Sequence, residues 1–205
     1  MHKKEFITAG KELTKNSKVL IMLHGRGANA EDILTLAAHL NVDDYTLIAP
    51  QATGNTWYPY SFMMPLSSNE PWLSSALSNL KVILSDLEAK GINKDKIYFL
   101  GFSQGACLTL EFVTRNAAKY GGVVAFTGGL IGDKIYRDHY AGDFASTPVF
   151  IGTSDPDPHV PVERVNESTK ILQELNASVT TKIYKAMGHT VNGDEIREAN
   201  NLIFK

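Results

Sequence analysis

Short apolar runs alternate with helical periodicity along most of this chain. Residues 18–23 (K-V-L-I-M-L), 45–49 (Y-T-L-I-A), 97–101 (I-Y-F-L-G), 122–126 (G-V-V-A-F) and 147–152 (T-P-V-F-I-G) are continuous apolar stretches of strand length. That pattern is expected of strands covered on both faces. A sixth, more polar strand is predicted over 178–184. Between them, residues 31–40 put Ile33, Leu34, Leu36, Ala37 and Leu40 at helical spacing. A longer helix keeps Leu73, Ala76, Leu77, Leu80, Ile83, Leu84 and Leu87 on one face until Gly91 ends it, with Ser68 or Asn69 as its cap and Pro71 in its first turn. Further helices follow from Ala106, over 162–175, and from a capping pair, Asn192 and Glu195, to about Phe204. Strands alternating with helices predict an α/β fold, a doubly wound and mostly parallel sheet in one domain spanning residues 1–205.

In such sheets sites form beyond the carboxyl ends of the strands. Ser103 falls there, in K-I-Y-F-L-G-F-S-Q-G-A-C-L-T-L-E, between a strand and a helix. Gly101 and Gly105 flank it at two residues on either side, the G-x-S-x-G pattern of a nucleophile elbow, in which a Cβ at either glycine would strike neighbouring backbone. The motif alone is common; its strand-to-helix setting gives it weight. Asp155 or Asp157 follows a later strand and His189 follows the last one. Serine, aspartate, histidine is the chain order of the α/β-hydrolase triad.

These residue types suit acyl transfer. A serine hydroxyl needs an imidazole to take its proton and return it to the leaving group, the role that fits His189. A carboxylate, proposed as Asp157, fixes the imidazole's tautomer. The developing oxyanion needs preset donors: the backbone N–H of Gln104 and one from the loop His24-Gly25-Arg26, although that loop can also be a plain turn. The long stretch 51–65 carries Trp57, Tyr58, Tyr60, Phe62, Met63 and Met64, either an apolar wall for a ligand or a small satellite core. Of these, Trp57, Phe62 and Met63 are the expected substrate-binding residues. His24 reads as structural, His2 and His39 as surface, and His159 as a neighbour of the acid. Asp133, Asp138 and Asp143, in an aperiodic segment over 130–146, read as solvated.

Composition narrows the rest. A chain of 205 residues with 43% apolar content buries about 70% of its unfolded surface in one core. With 20 basic against 22 acidic residues and no Lys/Arg block longer than two, it has no nucleic-acid footprint. No apolar run nears the ~20 residues of a membrane span and no secretory leader is read at the start, so a cytoplasmic location is expected. The lone Cys107 excludes an intrachain disulfide and reads as a small buried side chain. Two rival readings are a divalent metal at Asp155, Asp157 and His159, and a hydrolase-fold binding module without catalysis.

Together L-H-G-R-G, G-F-S-Q-G-A, D-P-H-V-P and G-H-T resemble the phospholipase/carboxylesterase family of small α/β-hydrolases, which includes the acyl-protein thioesterases. The resemblance covers nearly the whole chain. It implies an α/β-hydrolase with a minimal lid, no cofactor and no metal, acting on a small ester or acyl substrate. It also implies Ser103, Asp157 and His189 as the triad, and the N–H groups of Arg26 and Gln104 as the oxyanion hole. Carboxylesterase, thioesterase and lysophospholipase activities all fit. Alignment on Val160-Pro161 favours Asp157 over Asp155, in an acid loop longer than the family's usual one. Arg26 stands where the thioesterases commonly have an apolar residue. The oligomeric state is left open, a homodimer included.

Overall fold

Each apolar run read as a strand is one in the computed structural model, which describes residues 1–205. The strands are β2 (Lys18–Leu23), β3 (Tyr45–Pro50), β4 (Ile97–Phe102), β5 (Gly122–Phe126), β6 (Pro148–Asp155) and β7 (Ser178–Lys185). A further strand, β1 (Phe6–Gly10), precedes them. They make one seven-stranded sheet in the order β1-β3-β2-β4-β5-β6-β7, parallel except where β1 runs antiparallel to β3. This is the α/β-hydrolase architecture. β1 lies outside the predicted strands because its five residues, F-I-T-A-G, make neither an unbroken apolar run nor a strict alternation; all five are exposed, and the strand is held mainly through its backbone pairing.

Five α-helices cover the sheet: α1 (Ala30–Leu34), α2 (Trp72–Ala89), α3 (Gln104–Arg115), α4 (Val162–Glu174) and α5 (Gly193–Leu202). Alternate residues of each inner strand serve opposite faces. Val19, Ile21, Leu23, Phe99, Val123 and Ile151 pack beneath α2, α3 and α4. Leu20, Met22, Leu100, Val124 and Phe150 pack against α1 and α5. Apolar side chains on both faces explain why these strands read as unbroken runs.

Three predicted details differ. The helix over 31–40 is α-helical only through Leu34 and then tightens to a 3-10 turn, Thr35–His39. There the Thr35 hydroxyl donates to the Asp32 carbonyl at 2.6 Å, a local bond that competes with helix continuation. Asn69 does not cap α2. It is buried, accepting from Tyr60 N–H at 2.9 Å and donating to the Ser61 carbonyl at 3.0 Å, while the Glu70 carboxylate receives the N–H of Ser74. His2 is not a surface residue: its ring packs near Trp57, accepts from Thr53 N–H and bonds to the Trp57 carbonyl at 2.8 Å. Burial lowers its pKa against that last hydrogen bond. The Asn192–Glu195 capping box of α5 forms as expected, and Cys107 is buried, which pushes its thiol up to about 12.

The aperiodic segment over 130–146 is fixed by Leu130, Ile131, Tyr140 and Phe144 in the main core and by polar ties. The fully buried Glu111 on α3 accepts from Ile131 N–H and the Tyr140 hydroxyl, and Arg164 on α4 donates to the carbonyls of Leu130 and Gly132. Gly132 N–H in turn reaches the Phe62 carbonyl at 2.7 Å, so the segment braces the loop beside the site.

Candidate active site

Ser103 sits between β4 and α3 with φ 54° and ψ −118°, a conformation that a residue with a side chain rarely adopts. The flanking glycines permit it. A Cβ on Gly101 would stand 2.3 Å from the Gly105 carbonyl oxygen, and one on Gly105 would stand 2.1 Å from that of Leu23. Strand, turn and helix therefore approach more closely than any side chain at these two places allows. Ser103 N–H is anchored to the Phe126 carbonyl of β5 at 2.9 Å, and the hydroxyl projects at the carboxyl end of the sheet.

His189 and Asp157 arrive on the loops after β7 and β6. Ser103 Oγ lies 2.7 Å from His189 Nε2, and His189 Nδ1 lies 2.9 Å from Asp157 Oδ2. A carboxylate only accepts, so Nδ1 carries the proton and Nε2 is free to accept from the serine. Asp157 Oδ1 accepts from the N–H groups of His159 and Val160 at 2.8 and 2.9 Å. Burial of the Asp157 side chain works to raise its pKa, but the His189 hydrogen bond and the two backbone donors outweigh this and hold it below its ordinary value. Asp155, by contrast, is exposed at the end of β6, and its carboxylate enters no hydrogen bond.

The metal reading fails on its donors. Both Asp157 oxygens are taken, and no three His, Cys, Asp or Glu side chains are grouped to hold an ion.

The two residues expected to supply backbone donors, Arg26 and Gln104, line the same cleft as the serine. Gln104 is the first residue of α3, so its N–H has no acceptor within the helix. The loop after β2 packs close to Ser103 through Gly25, and Arg26 N–H takes no part in the loop's own hydrogen bonds. The side chains of this pair do something that the sequence did not disclose. Gln104 Oε1 accepts from Trp57 N–H at 2.9 Å while its Nε2 donates to the Tyr58 carbonyl at 2.8 Å. The Arg26 guanidinium donates to Thr56 Oγ1 and to the carbonyls of Pro59 and Tyr60 at 3.0, 2.8 and 2.7 Å. The loop between β3 and α2 is thereby tied to both Arg26 and Gln104.

An open cleft of about 620 Å³ surrounds Ser103 and His189, with Arg26, Gln104 and His159 and the apolar walls of Tyr58, Phe62 and Val160. Of the three expected substrate contacts, only Phe62 lines it. Trp57 is buried beneath the loop, its ring 4.9 Å from that of His24 and its indole N–H on the His24 carbonyl at 2.8 Å; Met63 packs on the main core. The stretch 51–65 thus lines the cleft through Tyr58 to Phe62, and its buried residues Ala52, Trp57, Tyr58 and Phe62 join the main core rather than a small satellite of their own. His24 is structural: Nδ1 donates to the Gly25 carbonyl and Nε2 accepts from Ala52 N–H, with burial lowering its pKa against the first of these bonds. Sequence pattern gave no sign of Ser154, a buried hydroxyl that links the Asp157 and His189 loops.

The sequence profile of the phospholipase/carboxylesterase family matches residues 2–205. The chain belongs to that family. A crystal structure of a phospholipase/carboxylesterase from Dyadobacter fermentans is 53% identical, with a TM-score of 0.97 over 100% of this chain and 98% of the other. Acyl-protein thioesterase 1 of Saccharomyces cerevisiae is 31% identical over 139 residues, 67% of this chain and 61% of that protein. A probable carboxylesterase of Arabidopsis thaliana, SOBER1-like, is 26% identical over 196 residues, 87% of this chain and 74% of its own length. As a phospholipase/carboxylesterase-family member the chain is a hydrolase of the serine esterase kind, with an esterase or thioesterase function. No helix is long and apolar enough to cross a membrane.

Proposed function

We propose that the protein hydrolyses carboxylic esters of short to medium acyl chains through an acyl-enzyme on Ser103. The hydrogen-bonded series Ser103–His189–Asp157, at 2.7 and 2.9 Å, carries this reading. In the first half-reaction Ser103 Oγ attacks the carbonyl carbon as its proton passes to His189 Nε2. The carbonyl oxygen, now an anion, is held by the N–H groups of Gln104 and Arg26; losing one such donor costs about 3 to 4 kcal/mol in comparable sites. The carbon–oxygen bond to the leaving alcohol then breaks, and that alcohol takes the proton from His189. In the second half a water gives a proton to the same nitrogen, attacks the acyl carbon and releases the acid, and Ser103 recovers its proton. Asp157, ionised throughout, keeps Nδ1–H in place and stabilises the imidazolium.

A thioester substrate would follow the same steps with a thiolate leaving. The open cleft, walled by Tyr58, Phe62 and Val160, offers an apolar surface for an acyl chain. Labelling by a fluorophosphonate probe, absent in Ser103→Ala, together with turnover of p-nitrophenyl butyrate tests the proposal. A folded protein that neither labels nor turns over would be a binding module instead.

A further inference from the structure

Arg26 is the only cleft-lining residue with a permanent charge, and no aspartate or glutamate faces the same space. The nearest carboxylate of the site, Asp157, has a fully buried side chain whose two oxygens are already occupied. The guanidinium is exposed yet fixed in direction, since Nη1 donates to Thr56 Oγ1 and the Pro59 carbonyl and Nη2 to the Tyr60 carbonyl. Three of its five N–H groups are thus spent on the loop. Nε–H and the second Nη2–H have no protein acceptor. With both Nη1 hydrogens engaged, the remaining donors belong to Nε and Nη2, and a guanidinium edge that offers Nε–H beside an Nη–H matches the two oxygens of a carboxylate. Its rotamers are already restricted, so engaging a ligand costs little further side-chain entropy.

We infer that the preferred substrates carry an anionic group, a carboxylate, on the acyl chain itself: half-esters of dicarboxylic acids rather than plain fatty esters. The acyl side is indicated because the Arg26 backbone N–H is the proposed partner of the ester's carbonyl oxygen, while its side chain runs along the Thr56–Tyr60 wall of the cleft. This inference rests on the acyl-transfer reading above and names the substrate class for the same site.

The test compares kcat/KM for mono-p-nitrophenyl adipate with that for its neutral methyl ester, p-nitrophenyl methyl adipate. The anionic ester is expected to lead by about 5-fold at low salt, the size of a single exposed charge pair, and the lead should shrink in 0.5 M NaCl. Within Arg26→Leu the ratio should fall to 1 or below, and Arg26→Lys should keep part of it; each ratio is internal to one variant, so a loosened loop does not mimic the effect. Equal or faster turnover of the neutral ester by the unmodified protein would overturn the inference and leave the esterase reading standing, as would a preference for an anionic alcohol over an anionic acyl group. No turnover of either ester would overturn both.

Discussion

The buried Ser154 hydroxyl accepts the Gly188 N–H at 3.0 Å, and it donates to the Pro156 carbonyl at 3.1 Å. One side chain therefore bridges the residue before His189 and the residue before Asp157. Ser154→Ala would leave a half-buried N–H without its partner, a loss typically worth 1–3 kcal/mol, and would free the two loops to drift. The expected outcome is a fall in kcat of about tenfold with KM little changed, since a small displacement of base from nucleophile is costly. Steady-state kinetics and a thermal melt check it; a lowered melting temperature with unchanged kcat would make the bridge merely structural.

Ser103→Ala should cost roughly 10³-fold or more in kcat while leaving the circular dichroism spectrum intact. Asp157→Asn should cost on the order of 10⁴-fold, because an amide does not hold His189 in the tautomer that accepts from serine. Asp155→Asn, at an exposed strand end, should stay within about twofold of the parent. Parallel assays of the two aspartate variants decide the acid, and a more damaged Asp155→Asn would refute the assignment.

Gly105→Ala is expected to abolish folding rather than chemistry alone. The new methyl carbon would lie 2.1 Å from the Leu23 carbonyl oxygen and 2.6 Å from that of His24, both backbone atoms with no room to retreat. Loss of soluble expression, or a melting temperature lower by about 10 °C or more, is the measurement; a well-folded Gly105→Ala protein would contradict the close approach of β2 and α3.

Glu195 sets a pH dependence of stability. Its Oε2 accepts the Asn192 N–H at 3.0 Å, its Oε1 has no partner, and burial raises the carboxyl from an ordinary 4.5 to about 7, against the capping bond. A raised folded pKa means that the stabilising contribution is whole below pH 4.5 and is lost as pH rises towards 7. Glu195→Gln keeps the capping acceptor without the charge. Urea titrations should find the variant gaining on the parent by on the order of 1 kcal/mol per pH unit across that window, with a plateau above it. A gap that does not vary with pH would exclude this origin.

The parts visible in the sequence are those whose signal is local. Val19 to Leu23 and Val123 to Phe126 are buried on both faces and read as strands at once, whereas the F-I-T-A-G of β1, exposed along its length, has neither an unbroken apolar run nor an alternation. The elbow was legible because a strained turn needs glycines at fixed offsets from Ser103, and the α5 cap because Asn192 and Glu195 are three residues apart. Pattern alone places Trp57 and Met63 among the ligand contacts, because an aromatic loop has no periodicity to say which side chains turn inward; indole N–H bonding to His24 and packing on the core turn both away from the cleft.

The alternation of strand and helix, the place of Ser103 at a turn, and the residue types available at the strand ends are all local properties of the chain, since each follows from neighbours a few positions away. Only the tertiary structure brought His189 to a serine 86 residues earlier, set the Asp157 carboxylate against that histidine, and turned the Arg26 and Gln104 side chains onto a distant loop. Those contacts depend on how twisted strands and their loops meet in space, and on which polar groups burial leaves in need of a partner.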